Sequence, residues 1–162
     1  MDLKTLYREV IVDHYKKPRN STPLEQPDVE SKCKNPSCGD RVTLQLRFTG
    51  DDLAEVGFIG VGCAISQAST SMMTQAIKGK SREEALRIMA AFREMVVDGA
   101  EQPDAATLGD LVTMQGIAKL PARVKCAMCG WSALEAALDD QSEEVDMDQD
   151  TSMPAAKRGS GM

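Results

Sequence analysis

Two runs of alternating residues, separated by a short break, constrain the fold of this chain more than any other feature. Val42, Leu44, Leu46 and Phe48 alternate with Thr43, Gln45 and Arg47, the period-2 pattern of a strand with one face buried. Gly50-Asp51-Asp52 breaks the run, and Leu53, Val56, Phe58, Ile59 and Val61 make a second strand, so the pair predicts a hairpin. Around this hairpin the apolar spacing is helical. Residues 2–17 place Leu3, Leu6, Tyr7, Val10, Ile11, His14 and Tyr15 on one face, and Pro18 ends the run. Prolines 18, 23 and 27 make an irregular connector, and a short strand fits Val29–Lys34. After the hairpin, residues 64–78 predict a helix of small residues stopped by Gly79. Ser81 and Glu84 have capping-box spacing, opening a helix with Ala85, Ile88, Met89, Phe92, Met95 and Val96 on one face. A loop containing Pro103 follows, then a short helix from Thr107 to Gly116. A last helix starts at Pro121 and runs through Trp131, Leu134 and Leu138. Helix, small antiparallel sheet of about three strands, then several helices reads as α+β.

The chain of 162 residues fits one domain, large enough to bury a core without disulfide staples. Aromatics make up 4% of residues against ten methionines, so aliphatic and methionine side chains must fill that core. The expected domain spans residues 1–139. Beyond it, residues 139–150 hold seven of the 25 carboxylates and no base, and residues 140–162 read as an acidic, disordered tail. Without that run the body is near neutral, which gives no electrostatic footprint for nucleic acid. No run of about 18 apolar residues is present for a membrane span, and the charged start does not resemble a signal peptide. The expectation is a cytoplasmic protein.

In a reducing compartment, the five cysteines read as metal ligands or reactive thiols rather than as a disulfide framework. Cys38-Gly39-Asp40 sets a thiol and a carboxylate two residues apart, where both can reach one ion. Cys63 follows a glycine-rich approach and directly precedes a helix, a position that favours thiolate. Cys126 lies near the start of the last helix, flanked by Arg123 and Lys125. Three thiolates and a carboxylate suit Zn2+, and could equally hold iron or a [2Fe–2S] cluster. Cys33, on the short strand, reads as core. Cys129, one helical turn past Cys126, could supply a ligand, a resolving thiol or nothing. A four-cysteine set of Cys33, Cys38, Cys126 and Cys129 leaves Cys63 unused, and no βαβ pattern supports a thioredoxin-like motif. His14, the only histidine, reads as packed rather than ligating, Lys16, Lys17 and Arg19 as a solvated helix end, Met72 and Met73 as core, and Trp131 as a packing anchor.

The strings LYREVIVDHYKKPRN (6–20), NPSCGD (35–40), GVGCAIS (60–66), SMMTQAIKGKS (71–81) and LPARVKC (120–126) resemble the SufU branch of the IscU/NifU-like iron–sulfur cluster assembly family. The resemblance runs from residue 3 to about 138 and implies an α+β fold with a small antiparallel sheet. It implies metal ligands at Cys38, Asp40, Cys63 and Cys126, and a switching role for Arg123. Lys125, where IscU-like scaffolds carry histidine, and the long stretch between Cys63 and Cys126 both point to the SufU branch. That branch implies a zinc-dependent sulfurtransferase that accepts persulfide sulfur from a SufS-type cysteine desulfurase and passes it to a downstream Suf-type assembly scaffold. A partner histidine is expected to take over at zinc, releasing Cys38, paired with Arg123, to attack the persulfide. The alternative is a non-enzymatic scaffold on which a [2Fe–2S] cluster is built. Cys33 and Cys129 stand outside the family pattern.

Overall fold

The computed structural model describes residues 2–141 and 143–154. Helix α1 (Leu3–Lys16) is followed by strands β1 (Val29–Asn35), β2 (Asp40–Thr49) and β3 (Asp52–Val61). Helices α2 (Ala64–Ile77), α3 (Arg82–Val96) and α4 (Ala105–Leu108), a 3-10 run (Gly109–Lys119) and α5 (Pro121–Leu138) come next. Strand β4 (Val145–Asp146) and a 3-10 turn (Met147–Gln149) end the described chain. The architecture is α+β, as the hairpin and helical runs required.

The elements form where local chemistry dictates. The Asp2 carboxylate accepts from the Thr5 N–H and caps α1. Ser81 and Glu84 close a full capping box on α3, and Pro121 occupies the first turn of α5, where its missing N–H costs nothing. The short helix expected over 107–116 is instead a one-turn helix followed by eleven residues of 3-10 geometry. Gly109, at φ +55°, breaks the α-helical ladder there.

The sheet order is β3-β2-β1-β4. Antiparallel registers place Cys33, Val42, Leu44, Leu46, Val56 and Phe58 on one buried face, and α5 packs across β1 and β2 on that face. The Ser31 hydroxyl donates to the Ala133 carbonyl (2.6 Å), tying β1 to α5. The sheet has one strand more than expected, supplied by residues assigned to a solvated tail. Val145 and Asp146 pair in parallel with Cys33 and Lys34, and Met147 and Met153 are buried in the core. Two methionines at suitable spacing anchor a segment whose charge alone would keep it in water. Residues 142 and 155–162, also part of that expectation, lie outside the described residues. Among the described residues no helix is long and apolar enough to cross a membrane.

Helix α2 is buried through hydroxyls as much as through apolar groups. Ser69 donates to the Ala127 carbonyl (2.7 Å) and Thr70 to the Ser66 carbonyl (2.9 Å), so these groups enter the core already paired. Small side chains let α2 approach α5 closely: a Cβ on Gly130 would lie 2.4 Å from Thr70 Oγ1. That contact brings the N-terminus of α2, and with it Cys63, up to Cys126 of α5.

His14 is packed, as expected, with Nδ1 2.8 Å from Ser71 Oγ. The same oxygen accepts the Arg19 N–H (2.8 Å), which leaves the hydroxyl proton for a neutral imidazole. Burial, reinforced by the Arg19 charge, holds the His14 pKa below its ordinary 6.5. The unfolded chain therefore binds the proton more readily. This contribution to stability is fully present above the unfolded pKa and is lost as pH falls through 6.5 towards the folded value. Urea midpoints at about pH 7.5 and about pH 5.5 should fall further for the wild type than for His14→Gln.

Candidate metal centre

The register that closes β1 onto β2 builds the site. Asn35 and Asp40 are the last paired residues, and the turn between them carries Cys38. The Cys38 N–H donates to the Asn35 carbonyl (3.1 Å), and Gly39 takes φ +71°. Asn35 and Asp40 continue the core-facing row of their strands, so both side chains point under α5, where they are 0% and 1% exposed. Cys126 reaches the same place from α5 and is fully buried. One ligand atom each from Cys38, Asp40 and Cys126 lies within 4.8 Å of the others.

Cys63 enters as the N-cap of α2. Its N–H donates to Asp40 Oδ1 (2.9 Å), while its Sγ accepts from the Ser66 N–H (3.4 Å). It stands beside the group of three rather than within its 4.8 Å limit. The neighbouring Cys126 thiol and the helix-terminal N–H push the Cys63 thiol down to about 6, against the opposing effect of burial. The neighbouring Cys63 and burial push the Cys126 thiol well above its ordinary range. The exposed Arg123 has its pKa raised, first by Cys126 and further by Cys63 and Cys38, so the guanidinium lies near all three sulfurs.

These donors fit a divalent cation. Asp40 is a buried carboxylate with hydrogen bonds from Asn35 Nδ2 (3.1 Å) and the Cys63 N–H, yet among the described residues no Lys or Arg forms an ion pair with it. A buried carboxylate surrounded by thiols calls for positive charge, which Zn2+ supplies with the sulfur and oxygen donors it prefers.

Sequence reasoning missed two elements of this site. Asn35 entered only as the first residue of the NPSCGD string, but its amide bridges Asp40 and Cys126 Sγ (3.5 Å), fixing both. Its Oδ1 is buried without a partner. Gly62, at φ +144°, is where the Asp40 side chain lies against the backbone: a Cβ there would meet Asp40 Oδ1 at 2.3 Å. Gly62→Ala should displace Asp40 and weaken zinc binding by about tenfold or more, read by competition with a chromophoric chelator. An unchanged affinity would show that Asp40 is not a ligand.

Cys33 and Cys129 are both fully buried in the core. The neighbouring Cys33 thiol and burial push the Cys129 thiol above its ordinary range. Among the described residues neither joins a cluster of three or more ligand atoms, so the rival four-cysteine set is not assembled. Trp131 stacks on Phe92, with ring centroids 4.5 Å apart, and donates to Ser69 Oγ (3.1 Å), as a packing anchor should.

Fold and site together define an α+β protein that gathers cysteines and an aspartate from a hairpin turn and two helices. Residues 6–127 match the family model described as the NifU-like N-terminal domain, and the chain belongs to that family. It is 50% identical over 134 residues to the zinc-dependent sulfurtransferase SufU of Bacillus subtilis (strain 168), covering 83% of this chain and 90% of that protein. It is 43% identical to the iron-sulfur cluster assembly scaffold protein IscU of Streptococcus pyogenes serotype M1, covering 84% of each. Among solved structures, FiSufU of the SUF system of Fervidobacterium islandicum AW-1 superposes with a TM-score of 0.77 at 39% identity, covering 85% of this chain and 99% of that one.

Proposed function

We propose that this chain is a zinc-dependent sulfur carrier of iron–sulfur cluster assembly, with Cys38, Asp40, Cys63 and Cys126 as metal ligands and Cys38 as sulfur acceptor. One observation carries the reading: Cys38 is half-buried on the turn between β1 and β2, while Asp40 and Cys126 are buried and Cys63, also half-buried, is fixed as the N-cap of α2. A thiol on such a turn can meet a donor sulfur without dismantling the fold. The relative named for zinc-dependent sulfur transfer supports the carrier reading, and both relatives' names support a place in sulfur or cluster chemistry.

Bound zinc would keep the ligand thiols deprotonated near neutral pH. The Cys38 thiolate attacks the outer sulfur of a persulfide on a SufS-type cysteine desulfurase. A new S–S bond forms at Cys38, the donor's S–S bond breaks, and the donor cysteine leaves as thiolate. Arg123, near the three sulfurs, stabilises the anionic thiolate and persulfide. The sulfur then passes to a downstream Suf-type assembly scaffold. All five thiols are free, which suits a reducing cytoplasm.

The test is desulfurase turnover with and without this protein, zinc-loaded and zinc-stripped. Zinc-dependent stimulation is expected, together with zinc and no sulfide chromophore in anaerobically purified protein. A labile [2Fe–2S] cluster that transfers to apo-acceptors would instead establish the scaffold role carried in the name of the Streptococcus relative.

A further inference from the structure

We propose that residues 143–154 form a latch built into the chain, in which Asp148 is a positioning residue holding the Cys38 turn against α5. This segment lies outside the family match over residues 6–127. It is seated by apolar anchors: Met147 is fully buried and Met153 nearly so. Between β1 and the first of these anchors, β4 runs beside Cys33 and Lys34, just ahead of the Cys38 turn.

The polar contacts then converge on the site. Asp148 Oδ1 accepts from Ser37 Oγ (2.8 Å) and from Lys125 Nζ (3.2 Å). Ser37 immediately precedes Cys38, and Lys125 immediately precedes Cys126. One carboxylate oxygen therefore ties together the neighbours of two candidate ligands that come from opposite ends of the sequence. Two further ion pairs straddle the turn, Lys34 with Asp146 and Arg41 with Glu144, each at 4.0 Å. Such partly exposed pairs hold weakly one by one. Here the buried methionines supply the attachment, and the carboxylates choose the position.

The consequence concerns Cys38. A swing of its turn away from Cys126 would expose this half-buried thiol further, and the Ser37–Asp148–Lys125 bridge opposes that movement. The regulatory meaning rests on the sulfur-carrier reading, whereas the mechanical claim does not. A partner that engages Asp148, or draws its segment off β1, would free the acceptor thiol at the moment of docking.

The experiment is iodoacetamide labelling of the zinc-loaded full chain, with Cys38 and Cys63 followed separately by peptide mass spectrometry. Asp148→Ala should speed labelling of Cys38 by about fivefold, the scale set by losing one partly exposed charged bridge. Labelling of Cys63 and the thermal midpoint should hold steady. Asp148→Asn, which keeps an accepting oxygen, should stay near the wild type, as should Glu143→Ala on the same segment. An unchanged Cys38 rate in Asp148→Ala, or an equal rise at Cys63, would overturn the proposal. No desulfurase enters this measurement. A chain that accepts no sulfur yet shows the selective rise would keep its latch and lose the sulfur-carrier reading.

Discussion

Cys38→Ala is expected to abolish sulfur acceptance, leaving desulfurase turnover at the level seen without the protein. The reason is positional. Cys126 is fully buried, and Cys63 has its thiol engaged at the helix N-terminus by the Ser66 N–H. Cys38 is half-buried on a turn between two strands, whereas Cys63, equally accessible, is held as the N-cap of α2; a thiolate is the attacking group in this exchange, so losing Cys38 removes the acceptor. The fold should survive, because the substitution lies on a surface turn rather than in the core. Cys129→Ala supplies the contrast. Its thiol is buried in the core and is not among the three clustered ligand atoms, and acceptance should continue at the wild-type rate. The measurements are desulfurase turnover and the sulfur mass added to intact protein. Full stimulation by Cys38→Ala would sink the assignment of the acceptor.

Much of this arrangement was legible in the sequence because its signals were local. Period-2 alternation with a Gly-Asp-Asp break needs no tertiary partner to read as a hairpin. The Ser81–Glu84 box and Pro121 mark helix starts by their own hydrogen-bond chemistry. Cys38, Asp40, Cys63 and Cys126 stood out through the glycines, helix starts and cations beside them; the structure brings one ligand atom each of Cys38, Asp40 and Cys126 within 4.8 Å of the others, and sets Cys63 beside them with its N–H on Asp40. What escaped depended on distant partners. β4 has two residues, and the segment around it is acidic, so its attachment comes from pockets for Met147 and Met153 and from Lys34, Arg41 and Lys125. Nothing within the segment announces these. Asn35 escaped for the same reason, since its bridging role exists only once β1, β2 and α5 are assembled.

The framework that sets the site's dimensions is expected to depend most on Trp131. Its side chain is fully buried, stacked on Phe92 of α3 and hydrogen-bonded to Ser69 of α2, so one residue of α5 contacts both helices. Its neighbour Gly130 marks the close crossing with Thr70 that brings Cys63 to Cys126. Trp131→Ala should lower unfolding stability by about 3–5 kcal/mol, the range for an emptied aromatic site. Against a total of about 5–15 kcal/mol that is a large fraction of what holds the chain folded. Trp131→Phe retains an aromatic ring against Phe92 and loses the indole N–H, so it should cost about 1–2 kcal/mol. Urea denaturation of the zinc-loaded protein measures both. Because Trp131 touches none of the candidate ligands in the contacts described, the fraction of Trp131→Ala that remains folded should still bind zinc. A variant that unfolds no earlier than the wild type would show that α2, α3 and α5 are held together elsewhere, and that the spacing of Cys63 from Cys126 is set by the Gly130 crossing alone.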